Sequence, residues 1–164
     1  MAQSNTQVKV RKMVEEDLPK VHYIDSQIFG SKRVPTWPFS FEAFWNMYHP
    51  ELSFVAKLNG QVVGFVVGTI EKEERSQSIV TLGPQLGSTA LYRQSAWIDM
   101  IGIHPDYQGK GIGRALIEVF YNECKQKNVV LRWIVRDDDE VLKKVVTSLG
   151  FKKSPISTYE MGKH

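Results

Sequence analysis

The stretch IHPDYQGKGIGRALIEVF, Ile103 to Phe120, decides how this chain is read. Glycines stand at alternate positions, Gly109, Gly111 and Gly113, with Lys110 and Ile112 between them. An amphipathic run follows at once. Ile112, Ala115, Leu116, Val119, Phe120 and Cys124 keep the spacing of one helix face, while Arg114, Glu118, Asn122 and Lys125 take the other. Just upstream, AWIDMIGI is an apolar strand with one carboxylate, Asp99, in its middle. A glycine loop between a strand and a helix start is an anion cradle. The helix start offers unpaired N–H groups and about half a positive charge, and glycines keep Cβ atoms out of the way of a phosphate. Two familiar phosphate loops fail on spacing. A Walker loop needs Ser or Thr after its lysine, but Gly111 follows Lys110. A dinucleotide fingerprint needs G-x-G-x-x-G at the first strand-to-helix turn, and here G-x-G-x-G comes late.

Outward from this stretch, the elements alternate in kind. Val8 and Val10 alternate with polar residues as a first strand, and Leu18, Val21, Ile24 and Ile28 recur at helical spacing up to Gly30. After the Pro-rich loop GSKRVPTWPFS, Ser40 is placed to cap a short helix carrying Phe41, Phe44, Trp45 and Tyr48. LSFVAKL, Asn59-Gly60 and QVVGFVVGTI read as a hairpin with a type I′ turn. A long polar segment, Glu71 to Gln94, follows, in which SIVTL could add a strand; it could serve as a lid, a substrate loop or a dimer contact. Beyond the central helix, VVLRWIV reads as an interior strand, and DDDEVLKKVVTSLGF as a helix burying Val141, Leu142, Val145, Val146 and Leu149 and stopping at Gly150. ISTYEMG can form a last strand. The order β-α-α-β-β-β-α-β-α-β predicts an α/β fold with a mixed sheet, in one domain over 1–164.

Composition narrows the class. The chain has 164 residues, 42% hydrophobic and 24% charged, with a net charge of +3. That suits a globular protein with an anionic small ligand and gives no argument for nucleic acid. A single cysteine, the absence of a signal-like N-terminus and the lack of a membrane-length apolar run predict a cytoplasmic protein without membrane contact. A homodimer stays open.

Gln108-Gly109-Lys110-Gly111-Ile112-Gly113 resembles the Q/R-x-x-G-x-G/A signature of the GNAT superfamily, the acyl-CoA-dependent N-acetyltransferases. IGIHPDY resembles the family's lead-in, and SLGF, Ser148 to Phe151, resembles the ending of its last helix. The resemblance implies a GNAT fold, with helices on both faces of the sheet and central strands that splay apart, here AWIDMIGI and VVLRWIV. It implies acetyl-CoA, or another acyl-CoA, as co-substrate. The pyrophosphate would sit on the N–H groups from Gln108 through Gly109, Lys110, Gly111, Ile112 and Gly113 to Arg114. Backbone at Ile101, Gly102 and Ile103 would hold the pantetheine arm and the acyl carbonyl, and an N–H aimed at the thioester oxygen would stabilise an oxyanion. Asp139 stands where the family often has an Asn that touches this arm. The loop between the first two helices would help build the acceptor pocket, with Trp37 and Phe39 as candidate substrate contacts.

Acetylating an amine requires a neutral nitrogen, a polarised carbonyl and a leaving thiolate. Asp99, flanked by Trp97, Ile98, Met100 and Ile101, is the candidate base, because desolvation raises a carboxylate's pKa toward neutrality. Its alternative is a structural carboxylate bonded to backbone, or one that only orients the amine. For the acid, Val146 occupies the position where many relatives carry a tyrosine, and Ile134 one where a branch that acetylates N-termini carries a glutamate. Tyr159 or a water is left to protonate the thiolate. Asp137 to Glu140 read as helix caps before a metal site, and Cys124 as core before a nucleophile. The expectation is an N-acetyltransferase acting on a primary amine, whether small, amino-acid-like or on a protein. The alternative from another class is a non-catalytic acyl-CoA-binding sensor or interaction module.

Overall fold

The computed structural model describes residues 7–28, 40–48, 50–71 and 94–154. The chain divides into two compact units, Met1–Ile134 and Val135–His164. The first holds a five-stranded sheet: β1 (Lys9–Lys12), β2 (Leu52–Leu58), β3 (Gln61–Ile70), β4 (Ser95–Ile103) and β5 (Val130–Trp133), in that spatial order. β1 to β4 pair antiparallel, and β5 joins β4 in parallel. The Asn59-Gly60 hairpin forms as expected, with φ of 51° and 81°, the left-handed values that a type I′ turn requires.

Among the described residues, helices α1 (Leu18–Ile28), α2 (Phe41–Tyr48) and α3 (Ile112–Gln126) belong to this unit. α1 buries Val21 and Ile24, as its spacing predicts, against Phe65, Val67 and Met100. α3 takes the other face. On β3, where Phe65 and Val67 point at α1, the alternate positions Gly64 and Gly68 approach Ile112 and Phe120 of α3. α2 is capped by Ser40, whose Oγ accepts from the Ala43 N–H at 3.1 Å. Buried Asp25 on α1 accepts from the Phe41 N–H at 3.1 Å and ties the two helices together.

The second unit holds α4 (Glu140–Ser148). The helix and its stop at Gly150 (φ 95°) form where expected. Its apolar stripe differs from expectation. No residue of α4 is buried, and Val141 and Val145 are 76% and 44% exposed. Periodicity fixes which side of a helix is apolar, but burial depends on a partner, which a local pattern does not encode. β5 is also shorter than VVLRWIV, ending at Trp133. SIVTL and ISTYEMG lie outside the described residues. Among the described residues, no helix is long and apolar enough to cross a membrane.

Candidate active site

The site is built where β4 and β5 part. Their pairing runs from Ser95↔Val130 to Ile98↔Trp133 and stops, while β4 continues to Ile103. On its other edge β4 keeps its partner. The His104 N–H donates to the Val63 carbonyl at 2.9 Å, and Gly64 to Val67 face Ile103 to Met100 in sequence. Hydrogen-bonded and non-bonded pairs alternate along an antiparallel ladder. With His104 bonded to β3, the N–H and C=O of Ile103 and Ile101 point the opposite way, past the end of β5. The Ile103 carbonyl confirms this direction, since it accepts from Gln108 Nε2 at 3.1 Å. Gly102 is buried between them, where a Cβ would meet Phe65 Cε1 at 2.6 Å.

The splay coincides with a bulge. Val67 faces Met100, but Gly68 faces Ile98, so Asp99 is the extra residue of β4. A bulge re-aims side chains. Asp99 thereby reaches Thr69 on β3, whose Oγ1 donates to Asp99 Oδ2 at 2.9 Å. Burial pushes the Asp99 carboxyl up to about 6, and the Thr69 contacts, through side chain and backbone, pull against it. On the neighbouring strand, Arg132 pairs with Trp97, lays its guanidinium 5.9 Å from the indole centre and donates from Nε to Ser95 Oγ at 2.8 Å.

The glycine loop lies at the far end of β4. Pro105–Tyr107 form a 3-10 turn, and α3 begins at Ile112 behind Gly111. Gly109 and Gly111 have φ of 75° and 76°, and a Cβ on either would meet nothing within 4 Å. The backbone conformation favours glycine there, and the space beside it is open. Gly113 differs. It lies within the first helical turn, where a Cβ would sit 3.3 Å from Ile103 Cδ1, so its small size serves packing of α3 on β4. The Gln108 N–H already donates to the Pro105 carbonyl at 3.3 Å, and Lys110 Nζ stands 5.0 Å over the Tyr107 ring. Arg114 is exposed on the first turn.

The start of α3 is unlike those of α2 and α4. α2 has the Ser40 cap and Glu42, and α4 has Asp139, which accepts from the Leu142 N–H at 2.8 Å, and Glu140. α3 has a glycine at its N-cap, no side-chain cap and no acidic residue in its first turn. The first turn of α3 thus has no N-cap side chain as acceptor and no carboxylate of its own, which fits an external anion such as a pyrophosphate. Asp139, a candidate for coenzyme contact, caps its own helix in the second unit. Trp37, Phe39 and Tyr159 lie outside the described residues. Among the described residues, no group of three or more His, Cys, Asp or Glu side chains could hold a metal ion. Cys124 is buried on α3, and burial foremost pushes its thiol up to about 11, which suits core packing.

Thr69 was not legible as a site residue. In sequence it is one β-branched residue ending an apolar strand, and only the register reveals its partner 30 positions away.

The model of the acetyltransferase (GNAT) family matches residues 18–151. The [ribosomal protein bS18]-alanine N-acetyltransferase of Escherichia coli is 26% identical over 142 residues, covering 85% of this chain and 78% of that protein. The crystal structure of the Escherichia coli ribosomal-protein-S18-alanine N-acetyltransferase superposes with a TM-score of 0.62 at 23% identity, covering 90% of this chain and 79% of the other. The aminoglycoside N-acetyltransferase AAC(6')-Iy in complex with CoA superposes with a TM-score of 0.68 at 14% identity, covering 100% of both.

Proposed function

Since this chain belongs to the acetyltransferase (GNAT) family, we propose that it acetylates a primary amine by direct attack in a ternary complex, with Asp99 as the base. The protein is an acyl-CoA N-acetyltransferase, and acetyl-CoA is its co-substrate. Acetyl-CoA supplies the activated acetyl thioester. The opening N–H groups of α3, behind Gly109 and Gly111, would hold its pyrophosphate, with Lys110 and Arg114 adding positive charge. The outward backbone groups of Ile101 and Ile103 would pair with its pantetheine arm, and an outward N–H there would receive the developing oxyanion. The family match crosses both compact units, which supports treating 1–164 as a single functional domain.

The observation that carries the base is the position of Asp99. It is a half-buried carboxylate at the bulge, titrating at about 6, where β4 leaves β5. At neutral pH such a group is mostly ionised yet basic enough to take a proton from an ammonium. The nitrogen then attacks the acetyl carbon. A carbon–nitrogen bond forms as the carbon–sulfur bond breaks, and the released sulfur takes a proton from solvent or from Tyr159. The acceptor is a small amine, an amino-acid-like amine or a protein amine. The Escherichia coli relative is a ribosomal-protein alanine N-acetyltransferase, which makes peptides with a free α-amine the first to test.

The experiment is thiol release from acetyl-CoA across small amines, polyamines and such peptides, for the native chain and Asp99→Asn. Turnover by the native chain should fall about 100-fold or more in the variant near pH 7. Unchanged turnover in the variant would remove Asp99 as the base. No release with any amine, alongside intact acetyl-CoA binding, would favour a binding module.

A further inference from the structure

We infer that Thr69 is the positioning residue of this site, anchoring Oδ2 of Asp99 and so aiming the carboxylate that takes the proton from the acceptor amine. The inference rests on the reading of Asp99 as the base. The bulge that carries Asp99 leaves it without a cross-strand partner on β3, so the ladder alone does not orient its carboxylate. Thr69 supplies the orientation. Its Oγ1 stands 2.9 Å from Oδ2, and its backbone also acts on the carboxyl.

The choice of residue type follows from the position. Thr69 pairs with Trp97 across the ladder, so its Cα is fixed by the sheet. A β-branched side chain has restricted χ1 freedom, which holds the hydroxyl in place at little entropic cost. A carboxylate held by a fixed hydroxyl faces its substrate in a defined direction, as proton transfer requires.

Other charged groups do not supply this role. On the same side of the sheet, Glu71 follows β3, and Arg132 of β5 bonds to Ser95 and lies over Trp97. On α1, Asp25 accepts from the Phe41 N–H, His22 rests against the Phe41 ring, and Lys20 lies over Tyr23. The charged side chains of α3 belong to the opposite face. Burial and Thr69 are the influences on the Asp99 carboxyl.

The direction of the effect is fixed. A hydrogen bond to the carboxylate favours the ionised form. Thr69→Val removes it at nearly constant shape, so Asp99 should bind its proton more tightly. The measurement is the pH dependence of kcat/KM for the native chain, Thr69→Val, Thr69→Ser and Asp99→Asn, with acetyl-CoA affinity determined for each. In Thr69→Val the acid limb should move up by about one pH unit, with coenzyme affinity unchanged. Thr69→Ser, which keeps the hydroxyl, should restore the native limb. A merely structural role for Thr69 would lower activity without moving the limb. If Asp99→Asn abolishes the limb but Thr69→Val leaves it at the native pH, the positioning role is overturned and the base stands. If Asp99→Asn keeps the native limb, the base falls, and the role of Thr69 with it.

Discussion

At Gly111 two effects that one substitution would mix can be separated. Its φ of 76° lies in the left-handed region, and the space beside it is open. Gly111→Ala therefore meets no atom but adopts a strained backbone, costing about 1–2 kcal/mol. Gly111→Glu has the same strain and adds a carboxylate at the uncapped start of α3. Both variants should unfold at similar denaturant concentration. Only the Glu variant should lose acetyl-CoA binding in calorimetry; equal binding by the two would remove the pyrophosphate from this loop. Asp99 carries a stability signature of its own. Its folded pKa of about 6 lies above the ordinary carboxylate value of 3.8. The folded state thus holds the proton more tightly. The associated stability is fully present below pH 4 and is lost as pH rises through 6. Asp99→Asn, which cannot ionise, should be more stable than the native chain at pH 8, by roughly 1 kcal/mol once partial solvent screening is allowed for. The difference should vanish by about pH 4 in thermal melts. A carboxylate kept at such a cost is what a trade between stability and activity looks like.

The elements follow rules of capping and periodicity that the sequence states openly. Ser40 before an aromatic helix, Asn59-Gly60 between apolar runs and Gly150 after SL are local signals, and each element forms where its signal stands. The Asp25 link is not local. It lies 16 positions from the N–H it caps, and nothing in the α1 pattern marks one buried acid among its polar positions. The bulge is hidden for a similar reason: AWIDMIGI reads as an unbroken strand, and an extra residue appears only when β3 is laid beside it. The two links at the start of α2 should show in stability. Ser40→Ala should cost about 1 kcal/mol. Asp25→Ala should cost more, roughly 1–3 kcal/mol, because it leaves a buried N–H unpaired. Denaturant midpoints of the two variants test this order, and a smaller loss for Asp25→Ala would refute the link.

At the scale of the whole molecule, cradle and carboxylate come from different parts of one strand. α3 brings its N-terminus to the end of β4, while the bulge brings Asp99 to Thr69. The place of the cradle depends on how α3 lies on the sheet, and the two approach closely at Gly68. A Cβ at Gly68 would stand 2.0 Å from the Trp97 carbonyl oxygen and 2.6 Å from Phe120 Cζ of α3. Backbone cannot give way as a side-chain tip can. At Gly64 the nearest atoms would be at 3.1 and 3.2 Å, within reach of small adjustments. Gly68→Ala should therefore cost about 3 kcal/mol or more, and Gly64→Ala about 1 kcal/mol. A ligand that binds only the folded chain offsets such losses by mass action, by roughly 2.7 kcal/mol at 100 times its Kd. Acetyl-CoA should accordingly raise the melting temperature of the native chain and of Gly64→Ala alike, since the atoms a Cβ at Gly64 would press lie at 3.1 Å and beyond and need yield by only tenths of an ångström. Gly68→Ala should gain less, because shifting α3 displaces the N–H groups that hold the pyrophosphate. An equal gain for Gly68→Ala would mean that the cradle tolerates movement of its helix, and that the loop alone holds the coenzyme.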